Sequence, residues 1–198
     1  DHPCTNQTRR PIKIAYWQLY RTRPSNEITV QKITERAGYN RSTFYTYFNS
    51  SQDVLNQIES SLLKYIQDNV AQVLLPAILH GQMPDLTELY YHIKGEYLSV
   101  LLGEKGDPYF SGRMKNALCE IYYKELDFPS GDVYAEYLLD FSVSALLSVL
   151  IRWYRKADLP EKEMVSLLQS MLAQGILPKY LASRNAPLAK PELDWYLP

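Results

Sequence analysis

The chemically capable residues of this chain are concentrated in one stretch, "YNRSTFYTYF" at 39–48. Arg41, Ser42, Thr43, Tyr45, Thr46 and Tyr47 place a guanidinium fork, three aliphatic hydroxyls and two phenols close together. An arginine fork donates to O6 and N7 of guanine at once, which discriminates against other bases by about 1–3 kcal/mol. Hydroxyls and phenols donate to phosphate oxygens, which fixes register without reading sequence. Such a set suits a nucleic-acid surface better than a reaction centre. Elsewhere the chain is poor in reactive groupings. His2, His80 and His92 have no neighbours at metal or catalytic spacing, and Cys4 and Cys119 lie far apart, with Cys119 read as an apolar core filler. With no nucleophile–base pair, glycine-rich phosphate loop or ligand cluster in view, neither an enzyme, a cofactor nor a metal is expected.

The elements that must hold those residues are helical. Ile12, Ala15, Tyr16, Leu19 and Tyr20 recur at one face of a first helix. Thr29 can cap a second helix over 29–37, and Gly38 can stop it in the left-handed conformation. Ser42 can cap a third helix over 42–48, with Phe44 and Phe48 on its inner side and Tyr45 and Tyr47 on its outer side. Ser50 and Asp53 form a capping box for a fourth helix that runs to about Leu75, where Pro76 interferes. Helices 29–37 and 42–48 across a tight turn make a helix-turn-helix, whose second helix enters the DNA major groove. Thr29 and Gln31 at the start of the second helix are placed beside the phosphates.

Beyond residue 76, turn clusters separate helical stretches near 85–103, 108–126, 132–157 and 160–183, with no sustained alternation. The fold expected is all-α, with about nine helices. The division expected is a helix-turn-helix domain at 1–50 and a larger body at 51–198, joined by helix 51–75. Charge follows the same division. Up to Ile66 nine lysines and arginines face five acids, a net +4, while the remaining twelve and seventeen leave −5. A small basic module on an acidic body points to an anionic partner. The two cysteines fit a reducing cytoplasm, no signal peptide is visible, and the apolar run at 141–151 is too short for a membrane span. The chain begins at Asp1 without methionine, so further N-terminal residues are expected. The tail at 186–198 is proline-rich, and its Leu193, Trp195, Tyr196 and Leu197 are expected to dock on the body.

At these residues the sequence resembles the TetR family of one-component transcriptional repressors. The stretch "ITVQKITERAGYNRSTFYTYFNSSQDVL" is similar to the family's DNA-binding signature almost position for position, within a likeness that covers residues 8–66. "RWYRKADLPEKEMVSLL" resembles the turn before the last helix of many members. The resemblance implies a palindromic double-stranded operator read by a homodimer and released by a small-molecule effector. The body's aromatics suit a hydrophobic or planar effector, and Met114, Leu118, Tyr122, Tyr137 and Phe141 fall mid-helix on faces expected to point inward. Ser144, Ala145 and Ser148 on helix 132–157, with Val165, Leu168 and Leu172 on helix 160–183, are expected at a four-helix dimer interface. The alternative is a body that binds a protein partner instead of a small molecule. One position departs from the family: Ser51 stands where a phosphate-contacting lysine is usual.

Overall fold

Apolar residues at helical spacing determine where each element turns its face. The computed structural model describes residues 3–80, 95–126 and 131–175, and these are helical with no strand. Helix α1 (Pro3–Tyr20) buries Ile12, Ala15, Tyr16, Leu19 and Tyr20 as the spacing requires. A 3₁₀ turn (Ser25–Glu27) leads to α2 (Val30–Ala37) and α3 (Arg41–Tyr47), followed by α4 (Ser51–Asn69). Thr29 caps α2 by accepting from the Lys32 amide, and Gly38 ends it at φ 73°, ψ 28°, where a side chain would be strained. Ser50 caps α4 through the Asp53 amide, while the Asp53 carboxylate accepts from the Asn49 amide at 2.9 Å.

Two local expectations are corrected. The cap of α3 is Asn40, whose Oδ1 accepts from the Thr43 amide at 2.8 Å. Ser42 lies inside the helix and donates its hydroxyl to the same oxygen at 2.7 Å. Pro76 does not interrupt the fourth helix. A π turn (Val70–Leu74) intervenes and the chain coils on into α5 (Leu75–Leu79), where Pro76 occupies the first turn and needs no N–H partner.

The body continues with α6 (Gly95–Leu101), α7 (Phe110–Glu125), α8 (Val133–Lys156) and α9 (Glu161–Gln174). Helix α1 packs on α2 and α4, α4 packs on α7, α7 on α8, and α8 on α9. One contiguous apolar cluster runs through these layers from Ile12 to Val165. The expected docking of the tail at 186–198 lies outside the described residues.

Helix α8 is covered on one side only. It buries Ala135, Leu139, Val143 and Leu147, yet its other side exposes Val133, Tyr134, Tyr137 and Phe141. At 24 residues it is the one described helix long and apolar enough to cross a membrane by length and composition, and only 22% of its most apolar window is buried.

Candidate nucleic-acid interface

Helix α3 is short, and seven residues without tertiary support do not hold a helix in water. Its anchor is Phe44, fully buried, with Phe48 just beyond the helix end at a ring separation of 5.5 Å. Burying these two rings in the common core leaves the opposite face in solvent. Arg41, Ser42, Tyr45 and Thr46 are exposed there, Tyr45 at 57%. Thr43 is half-buried at the flank.

Tyr47 differs from its expected outward position. It is half-buried against the core, and the Arg9 guanidinium lies over its ring at 5.8 Å. The reason is angular: residue 47 follows buried Phe44 by three positions, so it shares the flank of the inward face.

The side chains of the turn are tied together before any partner arrives. Arg41 Nη2 donates to Gln31 Oε1 at 3.1 Å, and Gln31 Nε2 donates to Glu35 Oε1 at 2.9 Å. The Gln31 amide therefore positions Arg41, the one arginine of α3, from across the turn. Arg36 of α2 donates to Gln18 of α1 at 2.7 Å, which fixes α2 on the first helix. Thr29 is exposed beside the free amides of α2, and Ser51 is half-buried as the first residue of α4. The contributions of Asn40 and Glu35 were not anticipated. The i, i+4 pairing of Gln31 with Glu35 was visible in the sequence; the reach of Gln31 across the turn to Arg41 was not.

The body residues separate into two groups. Met114 and Tyr122 are buried on α7, with Leu118 half-buried between them. Burial pushes the Tyr122 phenol up to about 12, so it stays protonated and can donate a hydrogen bond. Tyr137 and Phe141 are 75% and 58% exposed, so they do not join that inward group. Both fall on the α8 side opposite Leu139 and Val143, which take the core positions. At the other end Val165 is only 4% exposed, so it faces the chain's own core and does not offer the outward surface expected of it. Leu168 and Leu172 are half-buried against the same core, Ser144 and Ala145 are half-buried, and Ser148 is exposed.

Between helix-turn-helix and body lies a buried ionic junction. Glu59 of α4, 2% exposed, accepts a short contact from Arg113 of α7, whose Nη2 also donates to Asp107 Oδ2 at 2.8 Å. The second carboxylate oxygen of Glu59 is buried with no partner among the described residues. Burial raises the Glu59 carboxyl to about 7, against the pull of Arg113 and with that of Asp107. Tyr16 and Tyr20 of α1 share this environment; burial raises both phenols, Tyr20 to about 12.

Residues 17–58 match the model of the family described as bacterial regulatory proteins, tetR family. No curated protein sequence matches. Among solved structures, the crystal structure of a TetR transcriptional regulator from Streptococcus agalactiae 2603V is similar, at 21% identity and a TM-score of 0.57, over 85% of this chain and 94% of that one. The matched segment holds all of α2, the turn and α3, and the likeness in fold extends through the body. The buried Phe44 anchor and the exposed Arg41 face thus lie within the segment similar to the DNA-binding part of the tetR family, on a chain whose fold is similar to that of a TetR transcriptional regulator.

Proposed function

We propose that the chain is a dimeric cytoplasmic repressor that leaves a palindromic operator when a small hydrophobic or aromatic effector binds its body. The observation that carries this reading is the solvent face of α3. Arg41 is held by Gln31 at the leading end, and Ser42, Tyr45 and Thr46 stand beside it, while Phe44 locks the opposite face. Arg41 reads a base edge. Thr29, Tyr45 and Ser51 contact phosphates, and Thr43 and Tyr47 sit at the edge of the footprint. A two-fold dimer sets two such helices about 34–36 Å apart, one turn of DNA.

The exposed side of α8 supports the dimer. Tyr134, Tyr137 and Phe141 form an apolar stripe that continues into the small residues Ser144, Ala145 and Ser148. The effector group on α7 is then Met114, Leu118 and Tyr122, and Tyr137 and Phe141 pass from the pocket to the subunit interface. Effector binding shifts the separation of the recognition helices, with a coupling typically of about 1–3 kcal/mol.

Selection of bound sequences from random duplex DNA tests the proposal. A palindrome with half-sites one turn apart is expected, and Arg41→Ala should relax the preference at one base pair per half-site. Selection of a single unpaired site, or equal loss by Arg41→Ala on selected and random DNA, would refute the assignment.

A further inference from the structure

A cavity lies outside both groups of residues, in the cleft between α1 and α4 where α6 closes one side. Its volume is about 550 Å³, within the roughly 300–1,000 Å³ of small-molecule sites. Arg9, Arg10 and Lys13 line one part, and Trp17, Leu62 and Tyr97 another. The Trp17 and Tyr97 rings stack at 4.4 Å, so α6 is held against α1 by an aromatic wall. The cations are incompletely satisfied. No described carboxylate forms an ion pair with any of the three. Among the described residues Arg9 Nε is buried without a hydrogen-bond partner, and Lys13 Nζ reaches only the Gln57 carbonyl at 3.5 Å.

We propose that this cleft is a binding site for a small organic carboxylate with an apolar ring or chain, its head group on Arg9, Arg10 and Lys13 and its body against Trp17, Leu62 and Tyr97. An unpartnered guanidinium N–H beside two further cations leaves a site that one anion completes. Burial and the neighbouring Arg9 charge both lower the Lys13 ammonium, a cost that a bound carboxylate removes. The aromatic wall gives the apolar body somewhere to leave water. An occupant of the cleft touches α1, which packs on α2 of the helix-turn-helix, and α4, which packs on α7 of the body. That regulatory consequence rests on the DNA-binding reading; the site itself does not.

Isothermal titration of the full chain with 2-naphthoate, and with neutral 2-naphthamide of the same shape, tests the site. Binding of one naphthoate per chain is expected, with naphthamide at least about tenfold weaker, because charge-assisted bonds to the head group are lost. Arg10→Gln with Lys13→Gln should weaken naphthoate by at least about tenfold and leave naphthamide unchanged. Ser61→Trp, which fills the mouth, should abolish both. Circular dichroism confirms that each variant keeps its helices, and the comparison of the two ligands on the unaltered chain needs no variant. Equal binding of the two ligands, no binding of naphthoate, or naphthoate affinity indifferent to both substitutions would each overturn the proposal. So would a double variant that loses affinity for random duplex DNA alone, since the cations would then be phosphate contacts.

Discussion

Replacing Glu59 by glutamine should make the chain more stable at pH 7.5 and leave it nearly unchanged at pH 5. The carboxyl titrates at 4.5 in a solvated chain and at about 7 in its buried place on α4. Folding therefore takes up a proton between these values, and stability falls as pH rises through that window and is flat above it. At 1.36 kcal/mol per pH unit the full difference is a ceiling of about 3.4 kcal/mol. Arg113 is partly exposed, and water that reaches the junction there softens the burial penalty on the Glu59 carboxylate, so a loss of about 1–2 kcal/mol is the reasonable expectation. Glutamine keeps the shape and has no charge to desolvate, and Arg113 retains Asp107. Urea unfolding of both proteins at pH 5 and 7.5, at fixed protein concentration, reads the effect as a shift of midpoint at constant slope. The original chain should lose about 1–2 kcal/mol more than Glu59→Gln over this interval. Parallel pH dependence of the two proteins would show that Glu59 is already ionised at pH 5, and the buried-junction argument would fail.

Phe44→Ala should cost about 3–5 kcal/mol in urea unfolding and abolish DNA binding, because α3 has no larger anchor; unaltered DNA affinity would refute the anchoring role. Ser51→Lys should raise the slope of log affinity against log salt by roughly 2 for a dimer with two copies of the site; an unchanged slope would remove Ser51 from the phosphate surface. Phe141→Asp should give a monomer by light scattering at micromolar concentration, and a dimer that survives both Phe141→Asp and Tyr137→Asp would place the interface elsewhere.

Local signals in the sequence were sufficient for the helix-turn-helix. The apolar period of α1, the Thr29 cap, the Gly38 stop and the Ser50–Asp53 box all depend on residues within a few positions of one another, and each is where the spacing placed it. So is the division of α3 into buried Phe44 and Phe48 and exposed Arg41, Ser42, Tyr45 and Thr46. The sequence did not distinguish Asn40 from Ser42 as cap, because both side chains can accept from an amide and only the extended backbone at Asn40 decides between them. Which side of a long apolar helix meets the core is decided by what packs on it. That is why Tyr137 and Phe141 lie outside and Val165 inside, although all three have helical apolar spacing. The same holds for charge. Glu59 and Arg113 are 54 positions apart, and Arg9 and Trp17 of α1 meet Tyr97 of α6, a helix distant in the chain. Periodicity identifies the faces of single helices; the ionic junction and the cationic cleft exist only because tertiary packing takes water away from residues that sequence alone leaves in solvent.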